Sequence, residues 1–404
     1  MSTSLLYHGF GISGYDYINT KYNGGAVTFT LQPKPFSLRC AQCRSRKVLR
    51  RGKTPRLFRT VPIGHKPVWL SLAVQRVQCL ACGALRQVRI GFADSRRSHT
   101  KSFERYALEL SSRMTIQDTA RHLAVSWDTI KDIQKRYLRR RFSKPTLNRL
   151  RRIAIDEISI GKGHRYLTVV LDLDSGAVVF VGEGKGSETL EPFWKRLRRC
   201  KGKIKAVAMD MSPAYISAVM DHLPQARIVF DHFHVIKLFN DKLSDLRRKL
   251  YHEVHDLRQK DVIKGTRWLL LKNPQNLNPD KNEPQRLQEA LQINKPLATA
   301  YYMKEELRQF WNQPDKASAQ QALHSWIARA RASGISMLIR FSNTLAAHNS
   351  GLMAYYDHPI STGPLEGTNN KIKTMQKQAY GFRDIDFFKL KIMAVLLSKY
   401  ALVG

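Results

Sequence analysis

Apolar side chains change their spacing twice along the chain. They recur at helical intervals through Phe103, Ala107 and Leu110, shift to the shorter period of strands from Arg151, and return to helical intervals beyond Val235. The strand-like stretch predicts, in order, three strands, a helix, a strand, a helix and a strand, over residues 153–160, 166–173, 177–181, 188–199, 204–210, 212–222 and 227–230.

The order of these elements predicts an α/β fold. Three strands joined by turns pair antiparallel, and the alternating helices and strands that follow add parallel neighbours to the same sheet. This order is that of a ribonuclease-H-like core, a mixed sheet with helices on both faces. The mostly helical residues 241–347 are then predicted to form an insertion. Gly363-Pro364 is predicted to start a further helix, and residues 387–402 to form a final one.

Three carboxylates stand out against this fold. Asp156 lies in the middle of the first predicted strand, and Asp210 ends the fourth. A buried carboxylate is unfavourable unless it is paired, hydrogen-bonded or bound to metal, so a neighbouring Arg or backbone amides are the alternative explanation for Asp156. If the two strands are adjacent, the two residues lie about 5 Å apart. Glu366, near a helix N-terminus that also favours a surface carboxylate, could complete a site for two Mg²⁺ or Mn²⁺ ions flanking a phosphate.

Residues 115–137 carry a helix-turn-helix pattern. Ala120 lies where two helices would pack closely, a short turn falls at Ala124-Val125, and Ser126 is a suitable N-cap for the second helix. In this arrangement the second helix enters a major groove of DNA. The residues expected to contact DNA there are Ser126, Trp127, Asp128, Lys131, Arg139 and Arg140. An ordinary αα-hairpin is the alternative.

Two cysteine pairs precede this pattern. Cys40 and Cys43, and then Cys79 and Cys82, have the two-residue spacing of knuckles that turn thiolates toward one tetrahedral Zn²⁺. The alternative is four reduced cysteines in a small core. No Asp or Glu occurs between residues 34 and 93, whereas Lys and Arg are frequent, so we expect a zinc ribbon with a positive surface that contacts phosphates.

The formal charge of +36 on 404 residues points to a polyanionic partner. Nucleic acid is the first candidate. A membrane surface is a weaker one, because the basic residues are distributed along much of the chain and no apolar run approaches the roughly 20 residues of a membrane span. The first residues lack the pattern of a secretory signal, so we expect a reducing cytoplasm, in which paired cysteines favour metal over disulfides.

Several motifs together resemble transposases of the DDE type that insertion sequences encode, and most closely the ISL-three group. They are Ile155-Asp-Glu157, Met209-Asp-Met-Ser-Pro-Ala-Tyr215, Phe230-Asp-His-Phe-His-Val235, Gly363-Pro-Leu-Glu-Gly-Thr-Asn-Asn-Lys-Ile-Lys373 and Tyr380-Gly-Phe-Arg383. The resemblance covers nearly the whole chain. It implies that the protein binds terminal inverted repeats and target DNA, and cuts and joins the ends of a mobile element.

The resemblance also implies roles for individual residues. Asp156, Asp210 and Glu366 would be the catalytic ligands of Mg²⁺ or Mn²⁺. Asp231 is the fourth candidate for the metal site, either as an outer metal ligand or as a residue that supports the ligands. The remaining expectations are hydrogen-bonding or phosphate-contacting roles for His232 and His234, and DNA contacts for Asn370, Lys373 and Arg383. Glu157 follows Asp156 in the strand and is expected to point to the opposite face.

The predicted organisation is an N-terminal segment, a zinc-ribbon-like module, a helix-turn-helix, a first part of the core, a helical insertion and a second part of the core, over residues 1–34, 35–95, 100–145, 150–240, 241–347 and 348–404. We expect a homodimer or larger assembly on DNA, in the cytoplasm at the nucleoid. Two other functions compete with transposition: a structure-selective nuclease of the same fold without strand transfer, and a non-catalytic DNA-binding regulator.

Overall fold

The computed structural model describes residues 4–34, 38–161 and 163–396. The chain forms two compact units, one of residues 1–144 with 371–404 and one of residues 145–370. Within the described ranges, no helix is long and apolar enough to cross a membrane.

The first unit begins with a short helix and a five-stranded sheet. The elements are α1 (Leu5–Phe10), β1 (Tyr15–Asn23), β2 (Ala26–Pro33), β3 (Val48–Ile63), β4 (Lys66–Cys79) and β5 (Leu85–Gln87). The strand order is β1-β2-β4-β3, and β5 pairs with β4. Buried side chains such as Phe58, Val68 and Leu70 form the core on one face of this sheet.

The N-terminal residues are more regular than their sequence indicates. The first 23 residues show little periodicity, yet they include α1 and the edge strand β1, which pairs antiparallel with β2. Most of β1 is exposed, so it carries no alternation of apolar and polar residues for a sequence pattern to reveal.

The helix-turn-helix follows the sheet. Its helices are α2 (Lys101–Leu110), α3 (Ile116–Leu123) and α4 (Trp127–Phe142). The Ser126 hydroxyl accepts a hydrogen bond from the Thr129 amide at 3.2 Å, which confirms the predicted N-cap. Ala124 has a left-handed φ of 49° and ends α3, so the predicted turn is confirmed as well. The buried guanidinium of Arg59 donates to the carbonyls of Val68 and Leu123 and joins β3 to this motif.

The second unit contains the predicted mixed sheet. Its strands are β6 (Arg152–Gly161), β7 (Arg165–Asp172), β8 (Val178–Glu183), β9 (Ala206–Met209) and β10 (Arg227–Phe230). Their order is β10-β9-β6-β7-β8. β6, β7 and β8 pair antiparallel, β9 pairs parallel with β6, and β10 pairs parallel with β9. The ribonuclease-H-like fold is therefore confirmed, including the adjacency of the strand that carries Asp156 and the strand that precedes Asp210.

Helices cover this sheet and form the insertion. They are α5 (Glu191–Arg199), α6 (Pro213–His222), α7 (His232–Glu253), α8 (Leu257–Gly265), α9 (Arg267–Leu271), α10 (Glu283–Ile293), α11 (Lys295–Arg308), α12 (Lys316–Ala332), α13 (Ser336–Ala347) and α14 (Asn349–Met353). One continuous apolar core connects the sheet with the insertion. Trp326 is buried in that core, whereas Trp268 is exposed.

Two more helices complete the described chain, α15 (Gly363–Gln378) and α16 (Ile385–Ala394). The start of α15 at Gly363 confirms the predicted boundary, and the side chains of Ile372 and Met375 on this helix are buried. The division between the two units falls within α15, after Asn370. The predicted final helix coincides with α16 up to Ala394, and the part of that prediction beyond residue 396 lies outside the described residues.

Candidate active site and metal centre

Asp156 and Asp210 lie side by side at the centre of the mixed sheet. The parallel register of β6 and β9 pairs Ala154 with Ala208. Two residues further along both segments, the same register brings Asp156 opposite Asp210, which directly follows β9. Neighbouring strands are about 4.8 Å apart, so the two carboxylates belong to one small region at the carboxyl end of β9.

Burial raises the pKa of the Asp156 carboxyl above its ordinary value. The nearby Asp210 carboxylate raises this pKa further, because two like charges oppose each other's ionisation. His234 and Lys237 on α7 lower it, as does the amide of Glu157, but burial outweighs them. The position thus holds an unfavourable charge that a cation would stabilise.

Two hydrogen bonds hold the Asp156 carboxylate. Its Oδ1 accepts from the Glu157 amide at 2.8 Å, and its Oδ2 accepts from Nδ2 of Asn369 at 2.8 Å. Backbone amides were one of the alternatives that the sequence left open for this residue, and they account for one of its oxygens. The other oxygen is bound by an amide side chain of α15, the helix that also carries Glu366.

Glu366 lies in the exposed first turn of α15, one helical turn before Asn369. Residues three apart share a helix face, so Glu366 and the amide bound to Asp156 project to the same side of α15. The start of this helix is fixed by Asp231, whose buried Oδ1 accepts from the Thr362 amide at 3.1 Å. Asp231 follows β10 directly, so it connects the sheet edge to the helix that carries Glu366.

The ligand atoms of the three carboxylates are not gathered as tightly as those of a closed metal site. Within the described residues, the four cysteines are the group of three or more possible ligands whose atoms all lie within 4.8 Å of one another. Asp156 and Asp210 are brought together by strand pairing, whereas Glu366 lies on the helix whose Asn369 binds Asp156.

The face of the sheet behind Asp156 holds Glu157, as expected from the alternation along a strand. The phenol of Tyr215 on α6 hydrogen-bonds to both Glu157 and Thr168, at 3.0 Å for Thr168. Burial raises the pKa of Glu157, and the carboxylates of Asp210 and Asp156 raise it further. Sequence reasoning singled out neither Tyr215 nor Asn369, although Asn369 stands three residues after Glu366 and this spacing could have revealed it.

The four predicted zinc ligands converge at one end of the first sheet. Sγ of Cys40 lies 3.7 Å from Sγ of Cys82. Sγ of Cys43 lies 3.5 Å from Sγ of Cys79. A tetrahedron with Zn–S bonds of about 2.3 Å has edges of about 3.8 Å, so these separations suit a single Zn²⁺. The amides of Cys43 and Gln42 lower the pKa of Cys40 to about 6, which favours the thiolate that zinc requires.

The two knuckles have the same backbone form. The amide of Gln42 donates to Sγ of Cys40 at 3.3 Å, and the amide of Ala81 donates to Sγ of Cys79 at 3.4 Å. The residue after each pair is left-handed: Gly83 has a φ of 68° and Arg44 a φ of 67°. The second knuckle therefore ends with a glycine, whereas the first holds an arginine in a conformation that glycine adopts more easily.

The expected DNA contacts on α4 fall into two groups. Trp127 is 41% exposed at the start of the helix, and Arg139 and Arg140 are exposed near its end. Lys131, by contrast, is only partly exposed, and its Nζ lies 3.1 Å from a carboxylate oxygen of Asp384. Ser126 serves as the N-cap.

The remaining expected contacts are mostly exposed. Asn370, Lys373 and Arg383 are all exposed. His232 is also exposed and lies 3.7 Å from Oδ1 of Asp231, while His234 is half-buried.

Three family models match successive parts of the chain. A model described as zinc-finger of transposase IS204/IS1001/IS1096/IS1165 matches residues 37–82, and one described as helix-turn-helix domain of transposase family ISL3 matches residues 88–138. A third, described as transposase, matches residues 153–392, more than half of the chain. The chain belongs to transposase family ISL3. This confirms the family that the motifs indicated, together with its zinc ribbon, helix-turn-helix and DDE core.

Two relatives extend over almost the whole of this ISL3 transposase. The transposase for insertion sequence element IS1001 of Bordetella parapertussis is 34% identical over 393 residues, 96% of this chain and 95% of the relative. The transposase for IS1557 of Mycobacterium tuberculosis (strain CDC 1551 / Oshkosh) is 28% identical over 389 residues, 89% of this chain and 86% of the relative. A solved structure, the Drosophila P element transposase strand transfer complex, aligns at a TM-score of 0.42 and 11% identity, over 74% of this chain and 92% of that one.

Family membership makes the protein a metal-dependent enzyme that cleaves and transfers DNA strands. The four-cysteine cluster and the zinc-finger match together identify a structural zinc site. The helix-turn-helix match identifies a DNA-binding protein.

Proposed function

We propose that Asp156, Asp210 and Glu366 hold two divalent metal ions, Mg²⁺ or Mn²⁺, with which this ISL3 transposase cuts and joins DNA strands. The observation that carries the proposal is the register of β6 and β9, which aligns Asp156 with Asp210. The hydrogen bond from Asn369 to Asp156 supports the inclusion of Glu366, because Asn369 and Glu366 lie on the same face of α15.

The residues suit a pair of hard cations. Carboxylate oxygens are the ligands that Mg²⁺ and Mn²⁺ prefer, and the raised pKa of Asp156 reflects negative charge that a cation would offset. When bound, such ions activate the attacking oxygen, from water or a DNA 3′-hydroxyl, and stabilise the leaving oxygen.

Neighbouring residues would position these ligands and the DNA. Asn369 orients Asp156 through its hydrogen bond to Oδ2, and Asp231 fixes the start of α15 through Thr362. His234 and Lys237 lie one turn apart on α7, close enough to act electrostatically on Asp156. The ammonium group of Lys237 would supply positive charge to a scissile phosphate.

The substrate in this proposal is double-stranded DNA, as the terminal inverted repeats of the element and as target DNA. The helix-turn-helix would read the repeats, with the exposed N-terminal end of α4 in the major groove and Arg139 and Arg140 on phosphates. Because two ends must be cut and joined together, we propose a homodimer or larger assembly on the DNA, at the nucleoid of the host cell.

Replacing each proposed ligand in turn tests the site. Asp156→Asn, Asp210→Asn and Glu366→Gln should each lower cleavage and strand transfer in a donor-to-target assay by more than about 100-fold, since loss of a residue that merely supports a ligand already costs 10- to 100-fold. Binding to the terminal repeat should be unchanged, because these residues lie apart from the helix-turn-helix in sequence.

Glu289→Gln is the matched control. Glu289 is an exposed carboxylate on α10, and its variant should transpose like the parent protein. Parental transposition by Asp156→Asn would contradict the proposal. Ends that are cut and never joined, in the parent protein, would favour the nuclease instead.

A further inference from the structure

A basic groove lies in the first unit beside the zinc knuckles. It has a volume of about 1390 Å³, and β3, β4, β5, the chain from Val88 to Lys101 and the first knuckle form its walls. The cationic residues that line it are Arg56, Arg76, Arg86, Arg89, Arg96 and Lys101.

Two of these cations have partners within the protein. Arg56 donates to the Arg97 carbonyl at 2.7 Å and lies over the ring of Phe58. Lys101 donates to the Gly91 carbonyl at 3.0 Å and lies 3.7 Å from Asp94, the acidic residue in the lining. These contacts fix the rim of the groove but leave most of its positive charge uncompensated.

The other four arginines, which we call the groove arginines, are Arg76, Arg86, Arg89 and Arg96. All four are exposed, and among the described residues no side-chain hydrogen bond or ion pair engages their guanidinium groups. Arg96 also adopts a left-handed φ of 61°, an uncommon conformation for a residue with a side chain. Four like charges held around one concavity disfavour the free protein slightly and are best explained by an anionic ligand.

The size and chemistry of the groove favour a polymer over a small molecule. Pockets for small ligands usually measure about 300–1,000 Å³ and have mostly apolar walls. This groove is larger and carries several guanidinium groups, which bind phosphate through two parallel hydrogen bonds. Successive phosphates of one DNA strand are about 3.4 Å apart along the helix, so arginines on neighbouring strands and loops can each reach a different phosphate.

We infer that this groove binds the sugar-phosphate backbone of duplex DNA, with the groove arginines as phosphate ligands. The inference rests on the proposed function, since it supplies that function with a sequence-independent contact outside the helix-turn-helix. The groove anchors the DNA, and base reading belongs to α4.

The triple variant Arg76→Gln, Arg86→Gln, Arg89→Gln tests this assignment. Its affinity is measured from low to moderate salt, without divalent metal, on a duplex with the element's terminal repeat and on a scrambled duplex of equal length. The slope of log affinity against log salt should decrease by about 0.9 for each lost phosphate contact, so by up to about 2.7. Affinity should fall by the same factor on both duplexes, because backbone contacts carry no sequence information.

The matched control removes the same charge from the helical insertion, as Arg258→Gln, Lys264→Gln, Lys295→Gln. These side chains are also exposed. Control and groove variants should retain the zinc content and melting temperature of the parent, since no buried contact is lost. The control should keep the parental salt slope.

Two results would overturn the inference. One is a salt slope and affinity of the groove variant equal to those of the control. The other is a loss of affinity on the terminal repeat alone, which would assign these arginines to base reading. Failure of the proposed active site is recognised separately, because Asp156→Asn would then transpose like the parent protein, whereas this binding comparison is measured without divalent metal and does not depend on cleavage.

Discussion

The two five-stranded sheets of this transposase use charged residues in opposite ways. The sheet of the first unit keeps most of its arginines at the surface, with buried Arg59 as an exception, and the groove arginines are exposed. The sheet of the second unit carries Asp156 in its central strand, where burial and Asp210 raise the pKa of the carboxyl. Exposed charge destabilises a fold very little, whereas a charge removed from water must be paired, hydrogen-bonded or bound to metal.

The carboxylates of Asp384 in the first unit and Asp156 in the second show the same contrast. Asp384 in the first unit lies 2.8 Å from Nζ of Lys135 and 3.1 Å from Nζ of Lys131. Burial alone would raise its pKa, but these ammonium groups and the Phe387 amide lower the pKa to about 2. Ionisation therefore stabilises the first unit at Asp384 and destabilises the second at Asp156, so their stabilities should respond to pH with opposite signs.

The largest expected effect is the loss of zinc from the first unit. Structural zinc contributes on the order of 10 kcal/mol to small domains at pH 7, and buried Cys79 ends β4, the strand that pairs with β2, β3 and β5. Cys79→Ser should abolish stoichiometric zinc binding and lower the melting temperature of the first unit by more than about 10 °C, the effect expected for a loss of several kcal/mol. Metal analysis and calorimetry of the full chain measure both quantities.

Cys200→Ser is the control for this change. Cys200 is half-buried in the second unit and lies outside the four-cysteine cluster. Its variant should retain one zinc per chain. If Cys79→Ser also retained one zinc and melted like the parent, the cluster would not be a structural zinc site.

A smaller effect is expected at Asp384. Asn remains a good N-cap for α16 but cannot pair with the two lysines. The fall of the Asp384 pKa from 3.8 to about 2 corresponds to about 2 kcal/mol, so Asp384→Asn should destabilise the first unit by about 1–2 kcal/mol at pH 7.

The pH dependence of this difference identifies its cause. Because the pKa is lowered on folding, the stabilisation is complete above the ordinary value of 3.8 and is lost as the pH falls toward 2. Urea unfolding between about pH 3 and pH 7 measures it. Asp386→Asn, a change on the same helix at a residue outside these ion pairs, is the control. An equal loss in both variants would mean that the lysine pairs contribute nothing.

The order of the core elements could be predicted because each strand and helix has its own local signal. The apolar run that ends at Asp210 and the turn at Asp174-Ser-Gly176 both mark element ends, and connection rules then leave few arrangements. From Arg151 the apolar residues recur at the spacing of a strand, which predicted β6, and Asp156 within that strand indicated an active site. The exposed strand β1 had no such signal and is evident only through its pairing with β2.

Contacts that depend on tertiary packing could not be predicted in the same way. The DNA contacts expected of Lys131 and Asn370 stay predictions, but no sequence pattern indicated the ion pair between Lys131 and Asp384, 253 residues later in the chain. No pattern indicated the hydrogen bond that Asn369 donates to Asp156 either. Helical spacing predicts which side chains share a face of a helix, whereas the residues that this face contacts depend on the tertiary fold.

The smallest expected change in stability is that of Asp156→Asn in the metal-free protein, and it is a gain where the preceding variants lose stability. Asn at this position would retain an acceptor for the Glu157 amide. If the Asn369 side chain turns over, its Oδ1 accepts from the new amide in place of the present bond from Nδ2, so one hydrogen bond between the two side chains is kept. Because the change removes an unfavourable charge and keeps both hydrogen bonds, Asp156→Asn should stabilise the second unit at pH 7, by on the order of 1 kcal/mol.

The sign of the pH dependence separates this effect from a packing change. Because the pKa of Asp156 is raised on folding, its ionisation destabilises the fold as the pH rises through that pKa, and the advantage of Asn should vanish at acid pH where Asp156 is protonated. Chemical denaturation of metal-free protein from about pH 4 to pH 8 measures the difference, with exposed Glu289→Gln as a control that should leave stability unchanged. A destabilised Asp156→Asn protein at pH 7 would show that the second sheet tolerates its buried carboxylate as easily as the first tolerates its exposed arginines.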